Sequence, residues 1–232
     1  MTSFLPAVVG CFSVRAAENP TVTMMEASFA HEGLDWRYVN CEVTSGDLAA
    51  AVAGARAMGW RGFNCSMPHK QSVIALLDEL SLTARICQAV NCVAPTETGW
   101  IGHNTDGVGF VDAVRGVVEL DGAEVLVIGA GGAAHAIAIE CARAGARDVG
   151  IAARRSDAAA RLARLVTVET GATGQVVDWS RPLLVPASAQ LVVNATPVGM
   201  SPHDGDVVEV AWERIGPDTV VGDVVPKPAD TR

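Results

Sequence analysis

The chain has 232 residues, half of them hydrophobic, and its formal net charge is −9 at pH 7. The hydrophobic fraction excludes a disordered protein, and the negative charge disfavours nucleic acid and anionic membranes as partners. No apolar run approaches the ~18 residues of a transmembrane helix, and the N-terminus lacks the basic region of a signal peptide. We therefore expect a cytoplasmic protein that acts on a small molecule, as a monomer or a homodimer.

In the first half of the chain, short apolar strands alternate with helical patterns. Strands are predicted over 7–12, 36–43 and 62–66. Helices are predicted over 21–33, 46–59 and about 70–80. An apolar segment over 89–95 then leads through a turn to 100–106. This alternation predicts an α/β fold with mainly parallel sheets.

A helix predicted over 106–120 joins the first half to a second α/β series. There the strands are expected over 123–128, 148–155, 174–179, 189–196 and 219–225. The helices are expected over 133–146 and 156–171. We therefore expect two domains, with a boundary between residues 105 and 106.

The six cysteines form no Cys-x-x-Cys pair. Isolated cysteines of this kind are typical of reduced thiols in a reducing compartment. A zinc site needs paired Cys and His ligands, so we expect no metal.

A glycine-rich turn follows the apolar strand 125–128. It contains Gly129, Ala130, Gly131, Gly132 and Ala133, and an alanine-rich helix comes next. Glycines at such a turn let backbone N–H groups approach a pyrophosphate at a helix N-terminus. The strand before and the helix after this turn favour a Rossmann dinucleotide-binding domain over 106–232. Residues 1–105 would then bind the substrate and supply the catalytic groups.

The end of the second strand of this domain indicates which dinucleotide binds. NAD-preferring sites place an Asp or Glu there for the ribose hydroxyls. This chain has Arg154, Arg155 and Ser156 instead. Guanidinium groups pair with phosphate by charge and by paired hydrogen bonds, so the sequence predicts NADP.

Lys70 and Asp106 are the candidate acid–base pair. Lys70 falls in the first turn of a predicted helix, a poor place for a cation in terms of stability and a useful one for proton transfer. Alone, Lys70 could equally be a surface lysine, and Asp106 an ordinary N-cap. Asn64, Ser66 and Asn91 stand at predicted strand ends, where neutral polar groups suit a polyhydroxylated substrate.

Several segments together resemble the shikimate dehydrogenase family. They occur in the family's order over roughly residues 7–232 and comprise 62–70, 89–91, 102–110, 129–133, 194–200 and 223–225. The resemblance implies NADPH-dependent reduction of 3-dehydroshikimate to shikimate, or the reverse, in chorismate and aromatic amino-acid biosynthesis. It also implies roles for individual residues: a proton donor to the carbonyl oxygen at Lys70, its partner at Asp106, substrate contacts at Asn64, Ser66 and Asn91, and cofactor contacts at Asn194, Thr196 and Met200.

The chain departs from the family pattern near its N-terminus. The family carries Ser-x-Ser-Pro, whose hydroxyls hold the substrate carboxylate, and this chain reads Ala17-Glu-Asn-Pro20. Glu18 would repel a carboxylate if it pointed inward. Arg15 or Ser13 could compensate.

Two further departures lie near the C-terminus. Pro226 replaces a tyrosine, and the chain ends at Arg232 before the family's last strand and helices, which supply a glutamine. We therefore expect either a piece of a longer protein or an impaired or altered activity.

Alternatives remain open at this point. One is a quinate or aminoshikimate dehydrogenase, and another is a catalytically impaired NADP-binding protein. Methylenetetrahydrofolate dehydrogenases share the two-domain plan but are disfavoured by the segments 104–106 and 194–197.

Overall fold

The computed structural model describes residues 5–66, 68–226, 228 and 231. The chain divides into two compact units, Met1–Thr105 and Asp106–Arg232. Each unit combines a β-sheet with helices. None of the helices in the described ranges has the length and apolarity needed to cross a membrane.

The sheet of the first unit contains six strands: β1 (Ala7–Ser13), β2 (Trp36–Glu42), β3 (Phe63–Cys65), β4 (Glu79–Leu80), β5 (Cys92–Pro95) and β6 (Trp100–His103). Their order is β2-β1-β3-β5-β6-β4. β5 runs antiparallel to both of its neighbours, whereas the other pairs are parallel. This strand reversal brings the start of β5 to the same edge as the ends of β3 and β6.

The helices of the first unit are α1 (Thr21–His31), α2 (Leu48–Ala57), α3 (His69–Ser72) and α4 (Leu82–Cys87). The expected helix over 70–80 is wrong in its extent. It ends as a short 3-10 helix at Val73–Leu76, and the backbone of Leu77 is extended. The next residues pair with β6 instead, because Asp78 N–H donates to the Trp100 carbonyl at 3.0 Å. Helix α4 was not predicted.

Aromatic side chains hold the core of the first unit together. The Phe63 ring stacks on Phe12 with a centroid distance of 4.5 Å and is tilted against Trp100 at 5.1 Å. All three side chains are buried. These contacts join β1, β3 and β6 in one apolar layer, so the strand ends that follow are held at fixed positions.

The second unit has a five-stranded parallel sheet: β7 (Glu124–Ile128), β8 (Asp148–Ala152), β9 (Thr173–Val177), β10 (Leu191–Asn194) and β11 (Val220–Asp223). The order is β11-β10-β7-β8-β9. The chain moves outward from β7 to β9 and then returns to the other side of β7. Ligands of such sheets bind at this reversal point, beyond the carboxyl ends of the strands.

The helices of the second unit are α5 (Asp106–Val114), α6 (Gly132–Arg143) and α7 (Ser156–Thr170). The expected helix over 106–120 is therefore too long. It stops at Val114, two residues before Gly116, a residue type that disfavours helix. Helices α5 and α6 pack closely at Gly107, where a Cβ atom would lie 2.2 Å from the Ala136 carbonyl oxygen.

Candidate active site

The carboxyl ends of β1 and β3 lie side by side in the first unit. Phe12 pairs with Cys65 in the parallel register, so Ser13 and Ser66 follow at the same edge. The backbone N–H of Ser66 donates to the Phe12 carbonyl at 3.2 Å. Two hydroxyl-bearing residues therefore stand next to each other at this edge.

Asn91 joins this edge because β5 is antiparallel. Its backbone carbonyl accepts a hydrogen bond from the Cys65 N–H at 2.9 Å. Its side-chain oxygen accepts one from the Thr105 N–H at 3.0 Å. Asn91 thus connects the end of β3 with the residue that immediately precedes Asp106, the first residue of α5.

Helix α3 places Lys70 beside these strand ends. The Lys70 carbonyl accepts a hydrogen bond from the Val90 N–H at 2.7 Å, next to Asn91. The preceding His69 is fully buried, and its Nε2 lies 2.8 Å from the Val43 carbonyl oxygen. Both contacts fix the helix, so the half-buried Lys70 projects from a rigid support.

The side chain of Asn64 contacts a polar cluster that includes Tyr38 and Cys11. Tyr38 donates its hydroxyl proton to the side-chain oxygen of Asn64. Burial raises the pKa of Tyr38, so this hydroxyl stays protonated and acts as the donor. Cys11 lies in the same cluster, and burial raises the pKa of its thiol. The cluster fixes which way the Asn64 amide faces.

A pocket of about 590 Å³ opens beside Ser13 and Ser66. Its remaining lining residues are Val14, Arg15, Glu18, Asn19 and Pro68. Arg15 and Glu18 form an ion pair at its wall, with an Nη2–Oε1 distance of 2.6 Å. The structure therefore places Glu18 at the pocket, the orientation that the sequence left open.

The glycine-rich turn of the second unit lies between the ends of β7 and β10. Gly129 has a φ of 120°, and a Cβ there would lie 2.9 Å from the Ala195 carbonyl oxygen. At Gly131 and Gly132, a Cβ would meet no atom within 4 Å, so it would project into open space above the turn. Glycine is therefore required at 129 by the protein, whereas at 131 and 132 it leaves room for a ligand.

A cavity of about 430 Å³ adjoins this turn. It is lined by Gly129, Ala130 and Gly131 of the turn, by Arg154 and Arg155 after β8, and by residues after β9 and β10: Trp179, Ala195, Thr196, Pro197 and Val198. The segments that follow β7, β8, β9 and β10 thus close on one space at the carboxyl edge of the sheet. Its volume falls in the usual range of small-molecule binding sites.

The two arginines of this cavity are free to bind an anion. Neither guanidinium has an ion pair within the described ranges, and both side chains are exposed. The nearby Asp157 pairs with Arg161 at 2.6 Å, one turn further along α7, rather than with Arg154 or Arg155. Two exposed guanidinium groups without an ion pair in the described ranges, beside a pyrophosphate-binding turn, fit a 2′-phosphate, and therefore NADP.

Not all of the proposed cofactor residues border the cavity. Thr196 does, while Gly132, Ala133, Ser156, Asn194 and Met200 do not. Asn194 instead shapes the loop, because its side-chain oxygen accepts hydrogen bonds from the Thr196 hydroxyl at 2.7 Å and the Thr196 N–H at 3.1 Å. Trp179 was missed as a cofactor residue, although it is the last residue of the strand predicted over 174–179.

The sequence predicted reduced cysteines and no metal site. All six cysteines are free thiols. The described residues contain no group of three or more His, Cys, Asp or Glu side chains placed to hold a metal ion.

An open parallel sheet with a glycine turn at its reversal point and a pair of arginines one strand away defines an NADP-binding oxidoreductase unit. Comparison with known proteins supports this class. The sequence model of the shikimate dehydrogenase substrate binding domain matches residues 14–93. The shikimate dehydrogenase (NADP(+)) of Desulforamulus reducens is 36% identical over 228 residues, which cover 97% of this chain and 78% of that protein.

Two solved structures extend the comparison. The ligand-free 5-ketofructose reductase of Gluconobacter sp. strain CHM43 is 44% identical, with a TM-score of 0.93 over 99% of this chain and 83% of that one. The shikimate 5-dehydrogenase of Listeria monocytogenes, in complex with shikimate and NAD, is 32% identical, with a TM-score of 0.90 over 100% and 84%.

The chain belongs to the shikimate dehydrogenase family. It is an NADP-dependent oxidoreductase that acts on a CH–OH group. The expectations of the family, the α/β fold with its Rossmann unit, the general reaction and the cofactor are thereby confirmed.

Proposed function

We propose that the chain interconverts 3-dehydroshikimate and shikimate by hydride transfer, with Lys70 as general acid and base and Asp106 as its partner. The observation that carries this proposal is the convergence of Asn64, Ser66 and Asn91 at one edge of the first sheet, beside Lys70. Amides and a hydroxyl both donate and accept hydrogen bonds, so they suit neighbouring hydroxyl groups on a ring. The names of the relatives point to the same substrate pair.

The residues of this chain supply the proton chemistry. NADPH, when bound, supplies a hydride to the carbonyl carbon of the substrate. The Lys70 ammonium group donates a proton to the carbonyl oxygen as negative charge develops there. The product is an alcohol, and Lys70 regains its proton from solvent. Asp106 would orient the ammonium group and accept a hydrogen bond from a substrate hydroxyl.

Cofactor binding is assigned to the second unit. The backbone N–H groups at Gly131 and Gly132, at the start of α6, would face the pyrophosphate. Arg154 and Arg155 would hold the 2′-phosphate through charge-assisted hydrogen bonds. Trp179 offers an aromatic surface in the same cavity.

The experiment is an assay of NADPH oxidation with 3-dehydroshikimate, and of NADP reduction with shikimate. Turnover in both directions that depends on Lys70 supports the proposal. Binding of NADP without turnover of any ring acid, including quinate, would instead favour the catalytically impaired alternative.

A second candidate function is the reduction of an uncharged ketone such as 5-ketofructose. Two observations favour it: the 44% identity to a protein named 5-ketofructose reductase, and the presence of Ala17 and Asn19 where the family carries its carboxylate-binding serines. The same assay with 5-ketofructose, run beside 3-dehydroshikimate, compares the two. The oligomeric state, the cytoplasmic location and the lack of nucleic-acid partners stay predictions of the sequence.

A further inference from the structure

We propose that Glu18, held by Arg15, makes the pocket of the first unit selective for uncharged polyhydroxylated substrates over carboxylates. This inference rests on the proposed hydride transfer and bears on its two candidate substrates, because it concerns the part of the substrate that lies beyond the reacting carbonyl. It assigns a specificity-determining role to Glu18.

The pocket is lined by residues that lie close to Lys70 in the sequence. Ser66 and Pro68 form part of its wall, and Pro68 is two residues before Lys70. Ser13 completes that wall from the neighbouring strand end. The inference places the substituents of the substrate that lie beyond the reacting carbonyl in this pocket.

The positive charge of Arg15 at the pocket is paired with the carboxylate of Glu18. Among the described residues that line it, the one cation is Arg15. Its Nε donates to Glu18 Oε1 at 3.0 Å, and its Nη2 donates to both carboxylate oxygens, at 2.6 and 2.7 Å. A substrate carboxylate could use Arg15 only by displacing Glu18, and both carboxylates would then compete for one guanidinium group.

The neighbouring residues also use acceptor oxygens in their contacts. The backbone N–H of Ala17, which precedes Glu18 in the chain, lies 3.4 Å from Glu42 Oε1. Ala17 itself offers only a methyl group. Asn19 uses its side-chain oxygen to accept a hydrogen bond from the Thr21 N–H at 3.1 Å. The net charge that this wall offers a substrate thus comes from the Arg15–Glu18 pair, while Ser13, Ser66 and Asn19 supply neutral hydrogen-bonding groups.

Such a wall distinguishes hydroxyl groups from carboxylates. A hydroxyl donates to a carboxylate of Glu18, while a substrate carboxylate meets a like charge. Because Arg15 and Glu18 are exposed, solvent screens the repulsion, and we expect a discrimination of about tenfold rather than several orders of magnitude.

The experiment compares shikimate with its methyl ester, which keeps the ring and its hydroxyls and removes the charge. The ratio of kcat/KM for NADP-dependent oxidation is measured for the wild type and for Glu18→Gln, which keeps the shape of the side chain. Glu18→Asp keeps the charge, and Glu32→Gln removes an exposed carboxylate remote from the pocket lining.

The inference predicts that the wild type prefers the ester. Glu18→Gln should shift the ratio about tenfold toward shikimate, through the KM for shikimate, while both control variants keep the wild-type ratio. Turnover of shikimate with the same ratio in Glu18→Gln would overturn the inference alone. No turnover of either compound by any variant would overturn the proposed function as well.

Discussion

Tyr38 donates its hydroxyl proton to the side-chain oxygen of Asn64. Tyr38 lies on β2 and Asn64 on β3, and both strands flank β1 in the sheet. The contact therefore reaches across β1 and fixes the side-chain amide of a candidate substrate-binding residue.

Replacing Tyr38 by Phe should weaken substrate binding without affecting the cofactor. The change removes one hydroxyl and leaves the Asn64 oxygen without its donor, which costs about 1–3 kcal/mol. We expect the KM for the substrate to rise by roughly tenfold and kcat to change less. Steady-state kinetics measure both constants, and an unchanged KM would remove Tyr38 from the positioning of Asn64.

Replacing Lys70 by Ala should lower turnover by about 10²- to 10⁴-fold, the usual contribution of a general acid. NADP affinity, measured by calorimetry, should stay near the wild-type value because the cofactor residues belong to the second unit. A variant with wild-type turnover would show that Lys70 takes no part in the reaction.

Replacing Arg154 and Arg155 together by Ala should weaken NADP far more than NAD. Two charge-assisted hydrogen bonds to phosphate are lost, each worth about 1.5–3 kcal/mol. Titration with both dinucleotides gives the two affinities. Arg164→Ala, which removes an exposed arginine from the following helix α7, is the matched control. Equal losses for NADP and NAD would contradict the assignment of the 2′-phosphate to these arginines.

Helix α5 offers a matched pair of glycine variants. At Gly107, an added Cβ would meet the Ala136 carbonyl oxygen at 2.2 Å, so Gly107→Ala must separate α5 from α6. We expect a loss of about 1–3 kcal/mol in the free energy of unfolding. At Gly109 a Cβ meets nothing within 4 Å. Gly109→Ala should therefore be neutral or stabilising by up to about 1 kcal/mol, because alanine favours helix.

Denaturant unfolding of both variants tests this comparison. Equal stability of the two variants would mean that α5 and α6 do not pack closely at Gly107.

The buried thiol of Cys141 should make stability depend on pH in the alkaline range. Burial raises its pKa from 9.0 to about 12. The unfolded state therefore loses the thiol proton first, and stability falls as pH rises from about 9 toward 12. Between pH 8 and 10 this thiol should account for a loss of about 1 kcal/mol. Cys141→Ser should lose correspondingly less stability over that interval in denaturant unfolding, and an unchanged pH dependence would argue against the raised pKa.

The sequence is most informative where one local signal decides the structure. The apolar run of β7, the glycines after it and the alanine-rich α6 are all local, and the turn was predicted with its residues. Arg154 and Arg155 were likewise predicted from their position after β8, where such sheets select between NAD and NADP, and both line the cavity.

Elements decided by distant contacts were harder to predict. The helix expected over 70–80 ends early because Asp78 and Ser81 pair with β6, whose residues lie about twenty positions later in the chain. Trp179 joins the cofactor cavity only because β9 and β10 end at the same edge. The pairing of Arg15 with Glu18 is local, but its place at the wall of the pocket depends on Ser66 and Pro68, from another part of the chain.

The most direct test of the central claim follows the hydride itself. NADPH deuterated at C4 of the nicotinamide is incubated with 3-dehydroshikimate, and in parallel with 5-ketofructose, and the products are analysed by NMR. Direct transfer predicts deuterium on the carbon that carries the new hydroxyl group, and no such product with Lys70→Ala on the same timescale. Absence of deuterated product from both ketones, with NADPH bound, would contradict the account.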